Sequence, residues 1–371
     1  MDAPVLLTGA TGYIGGRLLR HFEEAGRPVR CLARNPERVK ATRSTTEIVQ
    51  SDCLNEASLG LALTGVDSAY YLVHSMSVGA DFAEVDRHAA ANFGRAAARA
   101  GVRRIIYLGG LADQAASLSS HLQSRAETGS VLRASGVPVI EFRASIVVGA
   151  GSLSFQMIEA LVERLPVMVC PRWVATLTQP MAVDDVVAYL AAALERPHNG
   201  SEVFEIGGPD VVSYGDVMRE YAQLRGLRRW LLPVPLLTPH LSGLWLALVT
   251  PAQARVGRAL VEGLKNSTVV RSSAAFDAFQ IDPTPLRVAL AKAIGVALGC
   301  ARRSARGPLF WTRPRRRSLR RSSRLAERTA GTSRTPSGER RWLAIERCDA
   351  DDPRTHPSRD LGLSARRAGA F

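Results

Sequence analysis

A glycine-rich loop near the N-terminus constrains the fold of this chain more than any other feature. The loop reads TGATGYIG at residues 8–15, follows a short apolar run that begins at Val5, and precedes a helical pattern that ends near Glu24. Glycines at these positions permit a sharp turn, close approach of the backbone to a pyrophosphate, and tight packing of helix on strand. The backbone amides and the positive helix end then favour an anion. We predict that a dinucleotide binds at Thr8, Gly9, Thr11, Gly12, Tyr13, Ile14 and Gly15.

Apolar runs and helical patterns alternate along the first 150 residues. Six predicted strands begin at Val5, Val29, Glu47, Ser68, Arg104 and Val139, and four predicted helices cover residues 13–24, 56–63, 82–99 and 119–134. Short strands that are apolar almost throughout are typical of a parallel sheet covered by helices on both faces. The predicted fold class is therefore α/β, with a doubly wound parallel Rossmann sheet.

The pattern changes after residue 150. Helical segments separated by turns rich in proline and glycine follow, with one further strand near residues 203–206. We predict a Rossmann domain over residues 1–150, a smaller α/β substrate lobe over residues 151–299, and a disordered basic tail over residues 300–371. The most apolar stretch, residues 230–249, is interrupted by three prolines, so we interpret it as a buried lid or pocket segment, with shallow membrane contact as the alternative.

The basic charge of the chain is concentrated in the predicted tail. The formal net charge is +14, and residues 301–371 carry 19 arginines, no lysine and seven acidic residues, which leaves the preceding 300 residues near neutral. Such a segment cannot bury enough apolar area to fold. Two interpretations remain open: a basic arm that binds nucleic acid or anionic lipid through phosphates, or out-of-frame translation of GC-rich coding sequence.

The N-terminus and the cysteines point to one compartment. The first residues lack the basic flank and apolar core of a signal peptide. Five scattered cysteines without a CxxC pair are typical of a reducing compartment. We therefore expect a cytoplasmic protein without a transmembrane segment.

The residues after the second and third strands bear on the choice of dinucleotide. The second strand ends in LARNP at residues 32–36, where an acidic residue would bond the ribose of NAD. Arg34 can instead pair with a 2′-phosphate, so we predict NADP rather than NAD as the cofactor. Asp52 follows the third strand, where it can accept a hydrogen bond from adenine or simply close a turn.

Five motifs together resemble one protein family. They read TGATGYIG at 8–15, RNP at 34–36, YLVHSM at 71–76, FRA at 142–144 and QPMAVDDV at 179–186. Residues 3–295 resemble the short-chain dehydrogenase/reductase superfamily in its extended and atypical branches, and most closely the NmrA-like NAD(P)-binding proteins. The resemblance implies a Rossmann sheet, a nicotinamide cofactor and a cleft between two lobes.

The same resemblance shows what this chain lacks. The superfamily uses a Tyr-x-x-x-Lys pair after the fifth strand and a serine near its end, whereas this chain has Gly110 at the serine position. His121 and Arg125 stand at the pair's positions with i, i+4 spacing, which places both on one helical face. In one interpretation His121 passes a proton and Arg125 positions the ribose or steers charge. In the other, both are exposed helix residues, and the site binds the cofactor without transferring hydride. We expect Ser75 and His74 to line the cleft near the nicotinamide.

Two functions follow from these expectations. The first is an oxidoreductase or epimerase that acts on a small carbonyl, sugar or lipid-like substrate. The second is a catalytically silent NADP(H) redox sensor that acts through protein partners. No histidine pair has metal spacing, so we predict no metal site, and we interpret Asp184 and Asp185 as residues that cap a helix and compensate its dipole.

Overall fold

A computed structural model describes residues 3–74, 82–112, 118–197, 199–234 and 263–295. The first half contains β1 (Val5–Thr8), α1 (Tyr13–Glu24), β2 (Val29–Ala33), β3 (Thr46–Gln50), α2 (Glu56–Leu63), β4 (Ser68–Tyr71), α3 (Phe82–Arg99), β5 (Arg104–Gly110), α4 (Ser120–Arg133) and β6 (Val139–Ala144). The second half contains β7 (Val147–Val148), α5 (Leu153–Arg164), β8 (Val167–Cys170), β9 (Leu177–Thr178), β10 (Met181–Ala182), α6 (Val183–Ala192), β11 (Glu202–Ile206), β12 (Val212–Ser213), α7 (Tyr214–Leu224), β13 (Trp230–Pro233), α8 (Ala274–Phe279) and α9 (Leu286–Ile294).

Seven strands form the central sheet. Their order is β11-β6-β5-β4-β1-β2-β3, and every pair within it is parallel. The order reverses between β1 and β4, and a crevice opens at the carboxyl ends of the strands at such a point. The predicted α/β Rossmann sheet is confirmed, and the switch point locates the site.

Successive strand residues face opposite sides of the sheet, and both sides are covered. Leu7 and Ile106 belong to the core cluster that includes α1 and α6, whereas Leu6 and Ile105 belong to the cluster that includes α2 and α3. All four side chains are buried. Because both faces of the sheet are buried here, β1 and β5 carry apolar side chains at nearly every position instead of alternating apolar with polar residues.

A second core lies outside the sheet. It is built from α5, α7, α9 and β8, with Phe155, Met218 and Leu290 among its buried members. Along the chain, α6 and β11 lie between α5 and α7, yet they belong to the central sheet and its covering helices. Strand β11 joins the sheet beside β6, and α6 packs on α1. The chain therefore passes between the two cores more than once, and the division of residues 1–299 at residue 150 stays a proposal.

Only the start of the apolar stretch 230–249 lies among the described residues. There β13 pairs in parallel with β8, and Trp230 is 69% exposed, so the stretch does not begin as a buried segment. Residues 235–249 and the tail at 300–371 lie outside the described residues. Within the part that the structure describes, no helix is long and apolar enough to cross a membrane.

The interpretation of Asp184 and Asp185 as caps needs a correction. The N-cap of α6 is Ala182, which has no side-chain acceptor. Asp185 instead accepts hydrogen bonds from the backbone amide and hydroxyl of Thr284, at 2.7 and 2.9 Å, and Asp184 pairs with Lys292. Both carboxylates still lie in the first turn of α6, where negative charge stabilises the helix. Asp185 also bonds the segment before α9, and Asp184 pairs with α9 itself.

Candidate functional site

The glycine loop closes tightly between β1 and α1. Gly9 has a φ of +71°, and a Cβ there would lie 2.5 Å from the carbonyl oxygen of Leu72. A Cβ on Gly15 would lie 2.1 Å from the carbonyl oxygen of Gly9. The amide of Gly12, the N-cap residue of α1, donates to the carbonyl oxygen of Gly9 at 2.9 Å, and no side chain caps the helix. The loop therefore needs glycine at positions 9 and 15 and leaves space at the helix end for an anion.

Thr8 and Tyr13 occupy different parts of this loop. The buried hydroxyl of Thr8 donates to the carbonyl oxygen of Tyr70 and accepts from the amide of Leu72, both at 2.9 Å, and so joins β1 to the end of β4. Tyr13 faces the cleft, and its ring lies 4.8 Å from the guanidinium of Arg17. Its buried hydroxyl has no hydrogen-bond partner among the described residues, and burial raises its pKa. A buried donor of this kind fits a site that receives a ligand.

A cleft of about 500 Å³ lies beside the loop at the carboxyl ends of the strands. Its walls come from the glycine loop, the ends of β4, β5 and β6, and the first turns of α4 and α5. The polar side chains on these walls are Tyr13, His74, His121, Arg125, Ser145, Ser152, Ser154, Tyr214 and Thr268. Of the residues predicted from the sequence, Gly9, Gly12, Tyr13, Ile14, Gly15, His121 and Arg125 line this cleft together.

Two histidine rings face each other in the cleft. His74 follows β4 and His121 lies in the first turn of α4, with their ring centroids 5.0 Å apart. Nδ1 of His74 donates to Oδ2 of Asp86 at 2.8 Å, and Asp86 is only 3% exposed. Nε2 of His74 and Nδ1 of His121 are buried and have no hydrogen-bond partner among the described residues. The cleft thus presents two imidazole nitrogens that can bond a ligand.

Burial sets the charge of both rings. It lowers the pKa of His74, although the hydrogen bond to Asp86 partly opposes that effect. Burial and the charges of His74 and Arg125 lower the pKa of His121 to about 3. Since a neutral imidazole carries one N–H and one lone pair, His121 is an uncharged donor or acceptor at neutral pH.

Arg125 is held against the sheet. Its guanidinium donates to the carbonyl oxygen of Leu108 and lies 5.4 Å from the centre of the Tyr107 ring, and the Tyr107 hydroxyl donates back to the Arg125 carbonyl at 2.9 Å. A Cβ on Gly110 would lie 3.0 Å from Cδ2 of Leu122. A serine at position 110 would therefore need the end of the Leu122 side chain to shift by a few tenths of an ångström.

Arg34 and Asp52 follow β2 and β3 and are not among the described residues that line this cleft. Arg34 is exposed directly after β2. Asp52 is half-buried, and its carboxylate accepts from the amide of Leu54 at 3.0 Å, which is the hydrogen bond of a turn. Ser75 lies outside the described residues. Among the residues that the structure describes, no three His, Cys, Asp or Glu side chains are grouped to hold a metal.

The sequence pattern missed a buried hydroxyl cluster beside the cleft. Ser145 contacts Thr178 and Thr268 at 2.7 and 2.9 Å, and the two threonine hydroxyls are 2.8 Å apart. The pKa of Tyr214 is raised by burial despite hydrogen bonds with both threonines. These residues are far apart in the chain, so no local spacing could reveal them.

A small apolar cavity adjoins the cleft. It measures about 60 Å³, and Met157, Ile158 and Leu161 of α5 form much of its wall. It shares Ile146, Ser154, Tyr214 and Leu264 with the cleft. The cleft therefore continues from a polar end beside the histidines to an apolar end beside α5.

Residues 1–200 match the NmrA-like family, which is more than half of the chain. The chain belongs to the NmrA-like family. The match extends from the glycine loop to the end of α6 and confirms the resemblance found in the motifs.

This NmrA-like chain is similar to one characterised reductase. The (4-alkanoyl-5-oxo-2,5-dihydrofuran-3-yl)methyl phosphate reductase of Streptomyces griseus is 29% identical over 230 residues, which cover 60% of this chain and 74% of the relative.

Two solved structures share the fold. NADPH-dependent quinone oxidoreductase QOR2 of Escherichia coli, complexed with NADPH, is 21% identical, with a TM-score of 0.62, and the match covers 77% of this chain and 98% of that one. MoeE5 in complex with UDP-glucuronic acid and NAD is also 21% identical, with a TM-score of 0.62, covering 79% and 98%. The NmrA-like chain thus shares the fold of two proteins whose structures contain NADPH or NAD.

Proposed function

We propose that this protein is an NADP(H)-dependent reductase of a small carbonyl compound that bears an apolar substituent. The observation that carries the proposal is the composition of one cleft, in which the glycine loop and two imidazole nitrogens lie at one end and an apolar cavity lies at the other. The similarity to a reductase and to an NADPH-dependent oxidoreductase supports it.

The loop residues fit the dinucleotide. Gly9, Gly12 and Gly15 form a cradle that any Cβ at position 9 or 15 would disrupt, and Tyr13 contributes a buried hydroxyl without a partner among the described residues. When bound, a reduced nicotinamide supplies hydride, and the protein orients it and the substrate. Of the residues in the sequence prediction, His121 is proposed here as a neutral hydrogen-bonding partner of the substrate, because its pKa is lowered to about 3. Arg125 stays a proposed source of fixed positive charge, and Ser75 and Asp52 stay proposed contacts.

The epimerase and the silent sensor expected from the sequence fit the cleft less well. An epimerase that acts on a sugar needs polar groups around the sugar, whereas the cavity that adjoins the cleft is lined mainly by apolar side chains. A silent NADP(H) sensor needs no second ligand space, and the comparisons do not favour it.

The reductase proposal is tested by NADPH oxidation. The full chain, saturated with NADPH, is assayed at 340 nm against straight-chain aldehydes, ketones, enones and quinones. We expect oxidation that depends on one of these substrate classes. Tight NADPH binding with no oxidation by any of them would contradict the proposal and favour the sensor.

Arg34 is expected to select NADPH. Replacing Arg34 with alanine removes charge-assisted hydrogen bonds to a 2′-phosphate, which predicts a loss of NADPH affinity of about tenfold or more. NADH affinity should change little, because NADH lacks that phosphate. Fluorescence titration of the full chain with each nucleotide measures both affinities. Arg20→Ala, which removes another exposed arginine from α1, is the control, and an equal loss for both nucleotides in Arg34→Ala would contradict the assignment.

The apolar cavity is expected to select for substrate chain length. With a series of straight-chain aldehydes, kcat/KM should rise by about fourfold per methylene until the cavity is filled. Ile158→Phe should abolish this rise, because the larger ring occupies the cavity. Leu61→Phe, at a position 81% exposed on α2, should leave the rise unchanged. An unchanged dependence in Ile158→Phe would mean that the substrate does not enter this cavity.

A further inference from the structure

We propose that His74, oriented by Asp86, and not His121, passes the proton to the substrate, an inference that rests on the proposed reductase function. His74 would be the catalytic residue and Asp86 a positioning residue. His74 follows β4, whereas the superfamily's tyrosine would stand at the position of His121 on α4.

Three elements orient the His74 ring. His74 extends from the end of β4, and its Nδ1 donates to the carboxylate of Asp86 on α3 at 2.8 Å. Ser124 on α4 donates to the same carboxylate oxygen at 3.4 Å. Because Nδ1 is engaged by the carboxylate, Nε2 is the ring nitrogen that remains for a ligand, and His74 lines the cleft. A carboxylate on one imidazole nitrogen fixes the tautomer and supports the charged ring when the other nitrogen is protonated.

His121 lacks that support. The ionisable groups that face the two rings from the described elements are Asp86 on α3 and Arg125 on α4. Asp86 bonds His74 directly, whereas His121 makes no hydrogen bond to Asp86 in the part of the chain that the structure describes. The positive charge of Arg125 opposes protonation of both rings, and only at His74 does a bonded carboxylate counter it. A protonated ring is therefore better stabilised at His74, and His121 is suited to bonding the substrate as a neutral group.

The proton balance of the reaction matches this arrangement. Reduction of a carbonyl group to an alcohol adds a hydride to carbon, breaks the C=O π bond, and adds a proton to oxygen. In our proposal the N–H bond at Nε2 of protonated His74 breaks and the new O–H bond forms. The ring, left neutral and still bonded to Asp86, regains a proton from water before the next turnover. The hydride acceptor and the proton acceptor are then the two atoms of one carbonyl group, as the reduction requires.

Histidine-ring NMR of the nucleotide-free full chain tests the pairing without any activity. Substitutions His74→Gln and His121→Gln assign the two ring signals. We expect His74 to carry its proton on Nδ1 when neutral and to titrate at higher pH than His121. Asp86→Asn should lower the His74 midpoint by about one pH unit or more, because the facing negative charge is lost. A higher midpoint for His121 than for His74, or a His74 midpoint unchanged in Asp86→Asn, would overturn the proposal.

The pH dependence of reduction gives the second readout. The donor must be protonated, so the rate should fall as pH rises through the pKa of His74. Asp86→Asn lowers that pKa and should move the fall to lower pH, with about tenfold less protonated donor per pH unit above the pKa. Glu84→Gln removes an exposed carboxylate from the same helix and should leave the profile in place.

The variants separate this inference from the proposed function. Loss of the pH-dependent fall in His74→Gln, with its retention in His121→Gln, would support the proposal. If His121→Gln loses the pH-dependent fall and His74→Gln keeps it, the proposal for His74 is overturned, while the reductase function stands. If no carbonyl substrate is reduced at all, the reductase proposal fails on that assay alone, and the NMR midpoints still decide whether Asp86 controls His74.

Discussion

Gly15→Ala is expected to weaken NADPH binding by about 100-fold or more, which corresponds to about 2.7 kcal/mol. The added methyl group would lie 2.1 Å from the carbonyl oxygen of Gly9 and 3.1 Å from the amide of Ala10. Both contacts are with backbone, which cannot rotate away as a side chain can. The start of α1 must therefore move from β1, and the loop loses the shape that receives the phosphates. Fluorescence titration with NADPH measures the loss.

The matched control is another helical glycine. Gly60 lies on the exposed side of α2, and a Cβ there would meet nothing within 4 Å. Gly60→Ala should keep its affinity for NADPH and gain up to about 1 kcal/mol of stability toward urea, since alanine favours a helix. Wild-type affinity in Gly15→Ala would refute the assignment of this loop as the nucleotide site.

Arg104→Met is expected to lower the free energy of unfolding by about 3 kcal/mol or more, because each buried carbonyl left without its donor costs about 1–3 kcal/mol. Arg104 begins β5 and is only 2% exposed. Its guanidinium donates to the carbonyl oxygens of Ala193, Leu194 and Arg196, directly after α6. These carbonyls belong to the 3₁₀ turn Ala193–Glu195 and to Arg196 after it, close to the negative end of α6. Methionine has similar length but no donor, so it leaves buried acceptors without partners.

The neighbouring arginine provides the comparison. Arg103 is exposed and pairs with Asp67 at the surface. Arg103→Met should cost at most about 1 kcal/mol, as exposed ion pairs contribute little. Urea unfolding followed by circular dichroism measures both variants. Similar small effects for the two positions would show that the carbonyl contacts of Arg104 contribute little to stability.

Much of the fold could be predicted because its signals are local. The glycine loop, the stop of α3 near Gly101 and the apolar runs of β1, β2 and β5 each depend on a few consecutive residues. The predicted boundaries therefore differ from the structure by only one or two residues. For example, the predicted third strand begins at Glu47 and β3 begins at Thr46, and the predicted helix over residues 119–134 is α4 at Ser120–Arg133.

The candidate site was predictable only in part. The spacing of His121 and Arg125 placed both on one face of α4, and both line the cleft. The same spacing could not show that Arg125 is bonded to Leu108, or that His74 is bonded to Asp86. Asp86 stands in a helix with many charged residues, where a carboxylate usually faces solvent.

The sequence by itself determined the order of strands and helices, the parallel sheet and the loop for a dinucleotide, because periodicity and glycine conformation act over short distances. Only the tertiary structure decided which polar side chains are buried and what they contact. Arg104 reaches across 89 residues to Ala193, and Ser145 across 123 residues to Thr268. Contacts at such separations depend on how whole layers pack, and no pattern of neighbouring residues encodes them.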